Sequence, residues 1–385
     1  MGVIEYMRFP VAEYRKRYDK VQQRLEEKEL NGLFITEGGN FTYFSGGTRD
    51  FSYSRPHILL LPRRGKPVAI IQNFPSWNRK REIWFDDVRV YDTMLGLPLE
   101  MVVQAIKDLG MDNGPVGVEL GYEQRLGISA NDFAKLKESL PEVDFVDAAD
   151  IFWSIRMIKS TEEIARYRRA CQITVQAYNS LFPSLHMGMS EREILDRFLQ
   201  LQVMMGGYEP WGFINSSPEN YQGDGGGPTN RRIRKGDQVW VDGGCSYRGY
   251  GSDFCCAGTV GTPSNEQQQM QQMVEEITRT IVSAVRPGIK ACDIDAMNIS
   301  EWEKRGYDYA GINWGGGRIG HGLGFEPPHI ASYDKTVIQP GMVFTIEPGI
   351  NTEYGCYQAE MDIAVTTDGC EILNEFDRSL RTIPE

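Results

Sequence analysis

The densest chemistry in the chain is "QVWVDGGCSYRGYGSDFCCAGTV", residues 238–260. Two strand-like runs flank "SYRGYG", a turn-forming centre rich in glycine. An antiparallel ribbon centred between Tyr247 and Arg248 would place Asp242 directly opposite Asp253, with Cβ atoms about 4.5–5.5 Å apart. Two carboxylates that close repel, so one takes a proton or both share a cation. Strands disfavour Asp, and the alternative is that both acids are turn residues at frayed strand ends.

A second group of acids follows. Glu347 ends the apolar run in "GMVFTIEPGI", and Glu360 opens the next in "AEMDIAVTTDGCEIL". Each alone reads as a solvated strand rim. Only four histidines occur in the whole chain, and two of them, His321 and His329, sit eight apart in "GRIGHGLGFEPPHI". Four carboxylates and one imidazole form an oxygen-rich set that suits a pair of divalent ions such as Mn, Co, Fe or Zn. A structural zinc site would lean on Cys and His instead. Two ions about 3.5–4 Å apart lower the pKa of a shared water and polarise a carbonyl.

Elements able to position these residues can be read from patterning. Over residues 10–30, Val11, Tyr14, Tyr18, Val21 and Leu25 recur at helical spacing. Short apolar runs follow, "GLFIT", "HILLLP", "PVAIIQ" and "VRVYD", bounded by Gly, Pro, Asn and Asp as strands are. Helices near 98–110 and 130–140, with "VGVEL" and "VDFVDA" as strands, complete an α/β unit ending near residue 155. In the second half, Ser160 with Glu163, Ser190 with Glu193, and Ser264 with Gln267 fit capping boxes. They predict helices over about 160–184, 189–206 and 264–286. Strands are expected at 211–216, 238–245, 251–260, 342–347 and 359–366, an α+β mixture.

Composition bounds the rest. At 385 residues, two domains are expected, 1–155 and 156–385. No run of 18 apolar residues predicts a membrane span, and the first residues lack the pattern of a signal peptide. A net charge of −12 argues against a nucleic-acid partner. Seven cysteines without a C-x-x-C spacing suit a reducing cytoplasm.

Asp242, Asp253, His321, Glu347 and Glu360, within "VDGG…GYGSD", "GHGLG", "TIEPG" and "AEMD", resemble the five-ligand signature of the creatinase, aminopeptidase P and prolidase family. "WSIRMIKSTEEIARYRRAC" resembles the family's interdomain helix. The resemblance spans the chain. It implies a creatinase-type α/β N-terminal domain followed by an α+β pita-bread catalytic domain. It also implies a dimeric, cytoplasmic metallohydrolase with two divalent ions at those five residues. Glu347 is then catalytic as well as a ligand. The default reaction is cleavage of a C–N bond in an Xaa-Pro dipeptide or short peptide, with no membrane or nucleic-acid partner.

The family's peptidases usually carry two more histidines that touch substrate. In "GDGGGPTNRRIRKGD" there is none, and Asp224 or Gly225 stands in that neighbourhood. The second is replaced by "FEPP", with His329 slightly late, so His329 is the candidate accessory catalytic residue. An arginine often found after the second aspartate is also absent, its place taken by the cysteines of "SDFCCAGT". Trp211 could line a substrate pocket or belong to the core. Arg49, Tyr53 and Arg55, in "SGGTRDFSYSRPH", could bind a substrate carboxylate at the partner subunit's active site, or form a solvated loop. His186 reads as structural. Because both accessory positions differ, a creatinase-like or ectoine-type hydrolase, or a dimethylsulfoniopropionate lyase, stays open. So does a binding module that kept the fold, against which the intact acids argue.

Overall fold

The computed structural model describes residues 7–48, 54–74, 80–216, 227–309, 316–324 and 326–385. The chain divides into two compact units, Met1–Arg156 and Met157–Glu385.

In the first unit, β1 (Gly32–Ile35), β2 (Ile58–Pro62), β3 (Val68–Gln72), β4 (Val88–Tyr91), β5 (Gly114–Val118) and β6 (Val143–Asp147) form one sheet in the order β4-β3-β2-β1-β5-β6. Successive side chains on a strand face opposite sides. Leu33 and Ile35 of β1, Leu59 and Leu61 of β2, and Ala69 and Ile71 of β3 join one buried cluster. Their alternates Phe34, Ile58, Leu60, Val68 and Ile70 join another. A sheet covered on both faces explains why these strands read as unbroken apolar runs. Helices Val11–Glu27, Gly38–Ser45 and Ala149–Arg156 cover the first face, and Leu99–Asp108 and Ala130–Ser139 the second. The helix Gly38–Ser45 is not evident in "GGNFTYFS", which opens on two glycines; Glu37 caps it by accepting from Asn40 N.

The second unit has two half-cores. In one, helices Thr161–Leu181 and Glu191–Met204 pack on a sheet built from β7 (Tyr208–Asn215), β8 (Gln238–Tyr247), β9 (Tyr250–Gly251) and β10 (Phe254–Val260). In the other, helices Asn265–Ala284 and Ala291–Glu303 pack on a sheet containing β11 (His321–Gly322), β12 (Glu326–His329) and β13 (Val343–Ile346). A ribbon, β14 (Gly349–Thr352) with β15 (Gly355–Gln358), precedes β16 (Met361–Val365), β17 (Cys370–Ile372) and β18 (Arg381–Ile383). The two larger sheets run β18-β10-β8-β7 and β12-β11-β13-β16-β17.

All three expected capping boxes are present, with Ser160, Ser190 and Ser264 each accepting from the backbone three residues on. Each such cap stabilises its helix by about 1 kcal/mol. The helix Ala291–Glu303 starts after Lys290, outside the usual capping residues, and buries Ile294, Asn298 and Trp302. Tertiary packing decides it. The buried Lys159 forms an ion pair with Glu326 of β12, tying the start of this unit to the histidine-bearing strands. Among the described residues no helix is long and apolar enough to cross a membrane.

Candidate metal centre

The ribbon that carries the aspartates turns on Arg248 and Gly249, whose φ values are 52° and 89°. Two residues with positive φ fit the twist of a two-residue hairpin turn. Arginine is uncommon in that conformation, so the sequence expectation centred the turn one residue too early. The observed pairs are Tyr247↔Tyr250 and Ser246↔Gly251 on one side of the strand, then Asp242↔Cys255. Asp242 therefore faces Cys255, and the expected direct pair with Asp253 is corrected. A register shift of two residues keeps each side chain on its face. The aspartates remain neighbours: one carboxylate oxygen from each of Asp242, Asp253 and Glu360 lies within 4.8 Å of the others.

The second sheet brings the remaining groups. His321 Nε2 lies 3.7 Å from Asp253 Oδ2 and 3.4 Å from Glu347 Oε1. Gly320 and Gly322 make that approach possible. A Cβ on Gly320 would stand 2.1 Å from Thr345 O, and one on Gly322 would stand 2.5 Å from Glu326 O. These glycines let the backbones of β11, β12 and β13 close up. All five residues that the sequence singled out as ligands thus share one space.

Burial raises every acid in this group. It is the largest influence on Asp242, Asp253, Glu347 and Glu360, and the charge of Asp242 adds to it for the other three. Glu347 is pushed up to about 8. Asp242 is eased by a hydrogen bond with Glu360, which implies a proton between them. Burial also pushes His321 down to about 4. Its Nδ1 lies 3.0 Å from Gly322 O, which leaves Nε2 with a lone pair toward the acids. The buried Oδ1 of Asp242 has no hydrogen-bond partner. A set of mutually repelling oxygens, a neutral imidazole and an orphaned carboxylate oxygen fits a divalent cation.

Neighbouring side chains hold this set, and sequence reading missed them. Gln358 donates to Glu347 Oε2 at 3.2 Å and reaches Glu360 Oε2 at 3.5 Å. Trp240 Nε1 fixes the other end of that amide at 3.2 Å. Thr345 Oγ1 accepts from His321 N and donates to Glu347 Oε1. Asp362, on the apolar strand β16, accepts from Asp253 N at 3.1 Å and is raised by burial to about 7. The buried Arg378 donates to the backbone carbonyl of Glu360. Only Asp362, an acid inside "MDIAV", left a signal in the sequence.

His329 lies directly opposite His321 across β11 and β12 and is buried. Trp211 pairs with Gly244, and Phe213, two residues on, pairs with Asp242. Cross-strand partners share a face, so both rings stand on the Asp242 side of the sheet, 5.7 Å apart. Alternation from Trp211 could have found Phe213. Cys255 and Cys256 are both buried. His186 is exposed, with Nδ1 3.0 Å from Met187 O. Arg55 is half-buried in the first unit. Arg49, Tyr53, Asp224 and Gly225 lie outside the described residues.

Comparison with known proteins gives the family. Residues 165–367 match metallopeptidase family M24, and residues 17–158 match the creatinase/prolidase N-terminal domain. The chain belongs to the M24 metallopeptidases. Among M24 relatives, the Xaa-Pro dipeptidase of Pyrococcus furiosus is 32% identical over 68% of this chain and 75% of its own length. That of Pyrococcus horikoshii is 31% identical over 95% and 98%. The solved prolidase of Thermococcus sibiricus superposes with a TM-score of 0.82 at 27% identity, covering 99% of this chain and all of that one. As an M24 protein the chain is a metallohydrolase, with a creatinase-type N-terminal domain and a pita-bread catalytic domain. Membership implies divalent metal ions.

Proposed function

We propose that this chain hydrolyses the amide bond before proline in an Xaa-Pro dipeptide or short peptide. Two divalent ions, from among Mn, Co, Fe and Zn, would be held by Asp242, Asp253, His321, Glu347 and Glu360. The observation that carries the reading is the convergence of these five side chains around a buried carboxylate oxygen that lacks a partner. The two archaeal relatives named as Xaa-Pro dipeptidases support the substrate class.

Ions bound there supply Lewis acidity toward the amide oxygen and lower the pKa of water. The chain's own groups do the rest. Glu347 would accept a proton from the attacking water and return it to the leaving nitrogen. His329, on the strand paired with that of His321, would face the substrate. Trp211 and Phe213 offer an apolar wall to the proline ring. Seven free cysteines fit a reducing cytoplasm, and the assembly proposed is a homodimer.

The test is turnover of Gly-Pro and Ala-Pro by protein loaded in turn with Mn, Co, Zn and Fe, with creatine, ectoine and dimethylsulfoniopropionate alongside. Metal-dependent cleavage of the dipeptides is expected. Turnover of one of the zwitterions alone would replace the peptidase reading with that of a small-molecule hydrolase or lyase.

A further inference from the structure

His321 and His329 stand directly opposite one another, and their Nδ1 atoms meet partners of opposite kind. His321 Nδ1 lies 3.0 Å from the carbonyl oxygen of Gly322. A carbonyl only accepts, so Nδ1 carries the proton and Nε2 keeps its lone pair. His329 Nδ1 lies 3.0 Å from a terminal nitrogen of Arg318. A guanidinium only donates, so this Nδ1 is the acceptor and the ring proton sits on Nε2. Adjacent imidazoles are therefore held as opposite tautomers by their second neighbours.

We propose that Arg318 is a positioning residue that locks His329 as the Nε2-protonated imidazole, which then presents a hydrogen-bond donor to an anionic oxygen of the substrate. In that form His329 is neither a metal ligand nor a proton acceptor, and the proton traffic falls to Glu347. The substrate half of this assignment rests on the hydrolase reading above; the tautomer does not.

The surroundings reinforce it. His329 N donates to Asp334 Oδ2 at 2.7 Å, and Asp334 Oδ1 accepts from Thr336 N at 2.8 Å, so the backbone under the ring is fixed. The charge of Arg318 is felt at Asp253, His321 and Glu347, which places the guanidinium beside the acidic cluster. A cation bonded to Nδ1 polarises the ring and strengthens its Nε2–H as a donor. The oxygen it suits is the tetrahedral oxyanion or a carboxylate of the substrate.

With only four histidines in the chain, selective 15N-histidine labelling gives a spectrum that single His→Gln variants can assign. In the zinc-loaded protein, His321 is expected to be protonated at Nδ1 and His329 at Nε2. Arg318→Met should release the His329 tautomer and lower kcat on Ala-Pro by about 10–100-fold with metal content unchanged. Arg318→Lys, which also only donates, should keep both the tautomer and most of the activity. His329→Gln retains an amide donor and should keep more activity than His329→Ala, whose loss should be about 10²–10³-fold. A wild-type His329 protonated at Nδ1, or a tautomer unmoved in Arg318→Met, overturns the positioning role. Equal losses in His329→Gln and His329→Ala overturn the donor role. Absence of any Xaa-Pro cleavage sinks the peptidase reading while the spectra still decide the tautomer.

Discussion

Both units of the chain bury acids, and the acids around Asp242 are treated unlike the rest. In the first, Glu119 is almost fully enclosed and receives Thr36 N, Thr36 Oγ1, Glu37 N and Asn40 Nδ2, all within 3.1 Å. Glu191 in the second unit is satisfied in the same manner by the backbone and hydroxyl groups of Ser216 and Thr229. The acids around Asp242 face chiefly one another, and one oxygen has no donor at all. A carboxylate buried to hold a fold brings its donors with it. One buried to bind a cation is left short of them, and the deficit marks the site.

The sharpest way to break this comparison is to neutralise one acid of each kind. Glu360→Gln or Asp253→Asn should lower dipeptide turnover by ~10³-fold or more, several kcal/mol of lost transition-state charge stabilisation. Metal content should fall with it. The metal-free form of either variant should melt no lower than metal-free wild type, because a repulsion has been removed. A lower melting temperature in the metal-free variants would show these acids to be structural. Glu119→Ala should do the reverse. Stranding its donors should cost about 3 kcal/mol, read as a lower midpoint in urea, with metal stoichiometry intact.

Metal removal sharpens the contrast through pH. The folded-state values of Asp242, Asp253, Glu347 and Glu360 are raised above the ordinary carboxylate range. A raised acid contributes stability that is fully present below its unfolded value and is lost as pH rises through its folded value. Chelated protein should therefore lose stability as pH rises from about 5 and through about 8, the value to which Glu347 is raised. Metal-loaded protein should lose less across that window, gaining about 2.7 kcal/mol when free metal is 100 times its Kd. Metal addition near pH 7 should release protons, measurable with an indicator dye. Parallel pH curves with and without metal would contradict the assignment. The smallest expected effect belongs to Gln358, whose amide spans Glu347 and Glu360. Gln358→Met should weaken metal affinity or activity by about 10–100-fold.

What could be read from the sequence followed local rules. The three serine caps work through groups three residues apart, and each helix begins where its box says. Five candidate ligands stood out because acids in apolar strands and a histidine between glycines are locally anomalous. The ribbon register was misread because it depends on a positive φ at Arg248, a conformation that residue rarely adopts. The helix Ala291–Glu303 was missed because packing against the second half-core decides it. Arg318, Gln358 and Arg378 are ordinary residues by local signals. Their work appears only when distant strands meet.

The ion pair between Lys159 and Glu326 bears on where the catalytic unit can be cut. The segment matching M24 begins at residue 165, and a fragment designed to that boundary would discard Lys159. Glu326, inside the strand that carries His329, would then lose its buried lysine, and breaking such a pair typically destabilises by 3–5 kcal/mol. Lys159 N also bonds Gly341 O, just ahead of the strand leading to Glu347. For protein engineering the minimal excisable module therefore begins upstream of Lys159, and the six residues before the matched segment are part of the catalytic unit's foundation.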